Sequence, residues 1–206
     1  MNSHHTNILI ERIAMGITNI LKTPIKYFIY LNRKRKFGSI GKHTSIGKPL
    51  RITCPENIFL DDFVGVAPYA WLAAEPHGRG MSSLIIKKGC RIGDFAHIYA
   101  TNEIVIEENV LLANFVYISD TDHGYKDIYT PILNQPIKNK GKVRIGEGSW
   151  LGEHVCVCGV SIGKHCIIGA NAVVTKDIPD YSIAVGVPAK VIKKYDFELN
   201  EWIKVG

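Results

Sequence analysis

His123 closes the run "ISDTDH" (118–123), three positions after Asp120 and directly after Asp122. An unperturbed imidazole titrates near pH ~6.5, so in its neutral form it can take a proton from a substrate group at neutral pH. Its second ring nitrogen then needs an acceptor. Asp120, Asp122 or a backbone carbonyl would serve, although each aspartate reads first as a turn-former. The other reactive side chains are five cysteines, an odd number. Cys156 and Cys158 form a C-x-C pair without a second pair at zinc-site spacing, so small core fillers are expected there rather than metal ligands.

What must position His123 is a chain that repeats every six residues. Aliphatic residues recur at Ile40, Ile46, Ile52 and Ile58, then at Leu60, Val66 and Leu72, and at Ile86, Ile92 and Ile98. They continue at Ile106, Leu112 and Ile118, at Ile145, Leu151 and Val157, and at Ile162, Ile168 and Val174. A glycine or other small residue often follows, and four positions after the aliphatic stands a small or β-branched residue such as Ala70, Cys90, Ala96, Val116 or Ala172. A period of six fits neither a 3.6-residue helix nor plain strand alternation. It fits short strands joined by tight corners, with glycine tolerating the corner backbone and two inward positions per hexad. The beat stops between His123 and Val143, which marks an excursion over 124–142.

The flanks read differently. Ile8, Leu9, Ile13, Ile17, Ile20 and Leu21 have helical spacing, and Thr23-Pro24 ends that helix. A second amphipathic piece runs from Ile25 into the basic cluster Arg33–Lys36, while 195–205 is expected to form a short closing helix. This gives an N-terminal amphipathic segment (1–39), a repeat domain (40–192) and a C-terminal tail (193–206). Hydrophobic residues make up 46 % of the 206 and charged ones 21 %, as in ordinary globular chains. The first stretch holds Glu11 and Arg12 and lacks a small-residue cleavage site, and no apolar run is long enough to span a bilayer. A cytoplasmic location with reduced thiols is the expectation. The net charge of +6 favours anionic partners, with nucleic acid last because no zinc finger or aromatic-studded RNA motif is present.

This beat, with "VRIGEGSWLGEHV" and "SIGKHCIIGANAVVTKDIPDYSIAVGVPAKVIKK", resembles the hexapeptide-repeat acyltransferases, nearest to the saccharide O-acetyltransferases. The resemblance implies an all-β solenoid, a left-handed parallel β-helix. It also implies a homotrimer that binds acetyl-CoA between subunits, needs no metal, and acetylates a saccharide hydroxyl. Residues 124–142 would cover the acceptor, and His123 at their root would be the general base for direct attack on the thioester. Asn114, Asp120, Asp122 and Tyr125 would lie on the acceptor side. On the donor side the resemblance implies Trp150 along the pantetheine, a backbone N–H of Gly152 or Glu153 at the thioester carbonyl, and Ala170 beside the arm. Thr175 and Lys176 would contact the nucleotide end, with Lys190 and Lys193 near its phosphates.

Two departures stand out. "VCVCGVSIG" is one residue shorter than the family's usual corner, and the long basic N-terminus suits either a cap over the first coil or docking to a membrane surface. Three alternatives share the fold: an N-acetyltransferase on an amino sugar or antibiotic, a γ-carbonic-anhydrase-like zinc enzyme, and a non-catalytic β-helix. The zinc reading is disfavoured because His97, His123, His154 and His165 lack the closely spaced pair such sites need.

Overall fold

The structure, a computed structural model, describes residues 36–77 and 80–205. The amphipathic segments expected over 1–35 lie outside the described residues. From Ser39 onward the chain visits three parallel sheets in rotation. The first face stacks Ser39–Ile40, Ile58–Leu60, Ser83–Ile86, Glu103–Ile106 and Lys142–Ile145; the second begins with Ser45–Ile46, Gly65–Val66 and Arg91–Ile92. It continues with Leu111–Leu112, Trp150–Leu151, Ile167–Ile168 and Ser182–Val185. The third face holds Arg51–Thr53, Trp71–Ala74, His97–Ala100, Tyr117–Ser119, Cys156–Cys158 and Val173–Val174. Each strand pairs in register with its counterpart one coil away, as Leu111 does with Arg91 and Trp150. Every coil therefore advances by one strand spacing, about 4.8 Å.

The hexad aliphatics point inward. Ile86, Ile98, Ile106, Ile118, Ile145 and Val157 are fully buried, and so are Ala70, Cys90, Ala96, Val116 and Ala172 at the small positions. Each large one contributes about 1.5–3 kcal/mol by leaving water. The glycines act otherwise than expected. The left-handed corner conformation falls mostly on non-glycine residues, among them Phe95 (φ 57), Phe115 (φ 59) and His154 (φ 57), with Gly89 and Gly148 sharing it. Gly93, two residues before Phe95, is required by contact instead: a Cβ there would lie 2.5 Å from the Ala113 backbone of the next coil. The strained corners stack on one another, Phe95 on Phe115 at 5.0 Å and Phe115 on His154 at 4.7 Å. These exposed rings gain contact from the same inter-coil repeat that forms the sheets.

The excursion begins slightly earlier than the broken beat implied. Thr121–His123 pairs antiparallel with Ile137–Asn139, His123 opposite Ile137. Between them Gln135 is the internal anchor, its Nε2 donating to the carbonyls of Asp127 (2.7 Å) and Thr130 (2.8 Å). The expected closing helix is a β-hairpin: Lys190–Asp196 extends the second face antiparallel to Ser182–Val185 and pairs with Glu201–Lys204. Asp196 sets this turn by accepting from the N–H groups of Glu198 and Leu199, Asn200 supplies a positive φ of 57°, and Tyr195 packs edge-on against Trp202. Cys156 and Cys158 are also corrected: both are half-buried on the outer side of the third face, because the hexad position between them belongs to Val157.

Candidate active site

His123 stands at the end of its strand with an exposed side chain. Its N–H donates to Asp122 Oδ1 (3.1 Å), Asp122 Oδ2 pairs with Lys140 Nζ (3.2 Å), and Gly124 N–H donates to Pro136 O (3.0 Å). Asp122 thus ties the two hairpin strands together. Among the described residues nothing hydrogen-bonds the His123 ring, so it faces solvent and whatever docks there. Tyr125, Gln135, Pro136 and Ile137 line a largely apolar cavity of about 430 Å³ on this excursion.

Asp120 does not join them. It is fully buried, and its carboxylate accepts from Thr101 N–H (2.8 Å), Thr101 Oγ1 (2.9 Å) and Asn102 N–H (2.8 Å). Its carbonyl meanwhile accepts from Lys140 N–H. The expected contact with an acceptor is replaced by a structural one, because the carboxylate turns into the adjacent coil, where buried N–H donors need it.

The residues expected on the donor side divide by corner, and Asn114, expected on the acceptor side, shares a corner with Glu153 and Ala170. At the turn between the second and third faces, Asn114 Oδ1 accepts the Asp94 N–H (2.9 Å) of the preceding coil. The same inter-coil bond recurs elsewhere wherever the next coil supplies Asp or Asn, as with Lys164 N–H and Asp180 (2.9 Å). Glu153 follows Asn114 in this column and Ala170 follows Glu153. Alanine offers no acceptor, so among the described residues the Glu153 N–H has no partner, and neither has that of Asn114. Gly152 is a correction: its N–H donates to Ile168 O (2.8 Å) within the coil ladder and is closed to a ligand. Glu153 Oε1 is engaged with Asn114 Nδ2 (3.4 Å).

Along the outer side of the second face runs a single ladder row: Leu111, Trp150, Ile167, Ile183, Lys193 and Lys204. Directly paired residues point to the same side, so this row is apolar from Leu111 to Ile183, with Arg91 before it and the two lysines after it. A register shift opposite Ile183/Ala184 leaves Ile192 unpaired. Because of this bulge Lys190, opposite Val185, and Lys193, opposite Ile183, share the stripe's side although they lie three residues apart. Ala170 is exposed at the adjacent corner. Thr175 and Lys176 are not brought to the stripe. They follow Val173–Val174 at the corner between the third and first faces, and the His123 hairpin leaves the coil at that same corner. In a three-faced coil that corner lies opposite the second face.

Among the described residues the other histidines scatter over separate faces and corners. His97 stacks on Trp71 at 4.1 Å, with its Nε2 buried and unpartnered and its pKa lowered by burial; His165 stacks on Tyr181. Among the described residues no three His, Cys, Asp or Glu side chains converge as metal ligands. Sequence reasoning missed the outward thiols and the Lys140–Asp122 pair. Strand alternation about Val157 carries the signal for the thiols, whereas the hairpin register behind the ion pair has none.

A profile described as the hexapeptide repeat of succinyl-transferase matches residues 142–176. A Mycobacterium tuberculosis protein named as an acetyltransferase is 51 % identical over 92 residues, which are 44 % of this chain and 30 % of that one. An Escherichia coli protein named as a lipopolysaccharide biosynthesis O-acetyl transferase is 34 % identical over 140 residues, covering 65 % of this chain and 70 % of that one. Among solved structures, a variant of an N-acyltransferase from Bacillus cereus, in complex with dTDP-4-amino-4,6-dideoxyglucose and coenzyme A, superposes with a TM-score of 0.67 at 22 % identity. That match covers 82 % of this chain and 90 % of the other and establishes a shared fold. With the repeat, the three-faced parallel sheets and the Escherichia coli relative in agreement, the chain belongs to the hexapeptide-repeat acetyltransferases.

Proposed function

We propose that this chain transfers an acetyl group from acetyl-CoA to a saccharide hydroxyl, with His123 as general base, in a left-handed β-helix that assembles as a trimer. The observation that carries the reading is the second-face stripe, apolar from Leu111 to Ile183 and cationic at Lys190, Lys193 and Lys204. A thioester on a pantetheine arm with phosphates at its far end has that same polarity. Lysines hold such phosphates as point charges rather than through a bidentate fork.

In this reading the acceptor hydroxyl lies against the 124–142 excursion and gives its proton to the neutral His123 ring as its oxygen attacks the thioester carbon. The oxygen that gains charge is met by the Glu153 N–H, which the coil leaves open. Collapse breaks the carbon–sulfur bond, and the imidazolium returns its proton to the departing thiolate. Lys140 and Asp122 fix the hairpin so that His123 is presented from a rigid strand end. The hairpin and the stripe lie on opposite sides of one coil, so a complete site draws the hairpin and Lys176 from one copy and the stripe from the next.

One relative bears on the acceptor. The Escherichia coli relative is named for O-acetylation in lipopolysaccharide synthesis, which supports a surface-polysaccharide precursor as acceptor. An amino sugar would need the same base and the same N–H. The test is release of free CoA thiol from acetyl-CoA over a panel of nucleotide-linked and free saccharides, amino sugars and aminoglycosides. Turnover on a hydroxyl-only sugar supports the O-transfer reading, turnover confined to amines replaces it with N-transfer, and no acceptor-dependent release refutes both.

A further inference from the structure

Cys156 and Cys158 lie side by side on the outer face of one strand, Sγ to Sγ 3.3 Å. Both flank the buried Val157, and both are half-exposed. On one side their row meets Tyr117 and Ser119. On the other, Val173–Val174 covers Cys156 and Val157 but ends before reaching Cys158. Cys158 therefore sits where the sheet stops, open to a small solute. The next residue, Gly159 (φ +66), is crossed by the Lys140 side chain so closely that any Cβ would overlap its methylenes. Lys140 also pairs with Asp122, beside His123. Cysteines two apart on an extended strand have Cα atoms about 6.4–6.8 Å apart, the outer edge of the disulfide range, so closing the bond draws the strand inward about Val157.

We propose that Cys156 and Cys158 form a peroxide-oxidised dithiol that closes to a reversible disulfide at the foot of the His123 hairpin. The first step is attack of the Cys158 thiolate on a peroxide oxygen, which gives a sulfenic acid and, from hydrogen peroxide, one water after proton uptake. The Cys156 sulfur then attacks the sulfenic sulfur, the S–S bond forms, and the hydroxyl leaves as a second water with the Cys156 proton. Two thiols are oxidised and one peroxide is reduced. The charge environment agrees: the hydrogen bond from Cys156, followed by Lys140, brings the Cys158 thiol down to about 7, while Cys156 is pushed up. The remaining cysteines are held as thiols. Burial lifts Cys90 to about 11 and raises Cys166 and Cys54. Low-pKa, accessible thiols beside a resolving cysteine oxidise first.

The test is mass mapping of the intact protein after one equivalent of hydrogen peroxide and then iodoacetamide. The expected result is joint loss of labelling at Cys156 and Cys158 within one peptide, recovery with dithiothreitol, and unchanged labelling at Cys54. In Cys156→Ser, Cys158 is expected to carry a sulfenic acid that dimedone traps. Persistent labelling of both thiols, or linkage to another cysteine or chain, overturns the proposal. A second arm rests on the acetyl-transfer reading: oxidation is expected to slow turnover about 10-fold or more through displacement of the hairpin, and Cys158→Ser to abolish that sensitivity. A mapped disulfide with unaltered turnover removes the link to the hairpin. Absence of turnover in the reduced protein counts against the functional reading alone, since the mapping decides the disulfide independently.

Discussion

At the residue scale the proposed mechanism depends on one backbone group that a neighbouring side chain either covers or leaves open. Asp94 N–H is capped by Asn114, whereas Glu153 N–H is open because Ala170 stands where an amide would reach it. Ala170→Asn is therefore expected to cap the Glu153 N–H and lower kcat by about 100-fold, the usual cost of one lost oxyanion donor, with little change in the melting temperature. Steady-state kinetics beside a thermal melt checks this. A kcat within threefold or so of the parent would exclude the Glu153 N–H from the reaction. The sequence marks His123 because the hexad beat stops there, but it cannot show which N–H is free. That depends on which residue of the next coil falls beneath each corner, and this register passes through the 124–142 excursion.

At the element scale, two strands decide what faces the ligand. Asp120 holds Thr101 and Asn102 with three hydrogen bonds while its carbonyl fastens the returning strand at Lys140. Asp120→Ala strands buried donors and is expected to cost about 3 kcal/mol, read from urea unfolding, with activity lost only as the fold is lost. A stable variant with selective loss of kcat would instead place Asp120 in the chemistry. The bulge at Ile192 puts Lys190 and Lys193 on the stripe side. Lys190→Ala with Lys193→Ala is expected to raise KM for acetyl-CoA about 10-fold with kcat nearly unchanged, and to flatten the salt dependence of KM; an unmoved KM would detach these lysines from the phosphates. The strands themselves were legible, since large and small residues alternate about every hexad centre. The last segment was misread as a helix because Tyr195, Leu199 and Trp202 mimic helical spacing, whereas the Asp196 turn and the Asn200 positive φ that make a hairpin are properties of the folded backbone.

On the scale of the whole molecule, the fold separates the groups that the proposed mechanism brings together. The hairpin with His123 and the corner with Lys176 lie opposite the second face that carries Trp150, Lys190 and Lys193. Exposed Phe95 and Phe115 line the corner between the second and third faces, an apolar edge suited to packing against a like edge. A site assembled from two copies predicts complementation. With acetyl-CoA held well below the parent KM, co-expressed His123→Ala and Lys190→Ala/Lys193→Ala chains are expected to form mixed assemblies more active than either variant alone, because some interfaces then combine an intact hairpin with an intact stripe. Activity no greater than the average of the two variants would locate each site within one chain. The hexads recurring between Ile40 and Val174 imply short strands joined by tight corners from sequence alone, but the opposition of hairpin and stripe appears only when strands are assigned to faces.

The central claim, that the imidazole at the hairpin end takes the acceptor proton, meets its most direct test in the rate of CoA thiol release by His123→Ala. With the best acceptor at saturation, kcat is expected to fall about 100-fold or more, with an unchanged KM for acetyl-CoA and an unchanged far-ultraviolet spectrum. Turnover equal to that of the parent chain would contradict it.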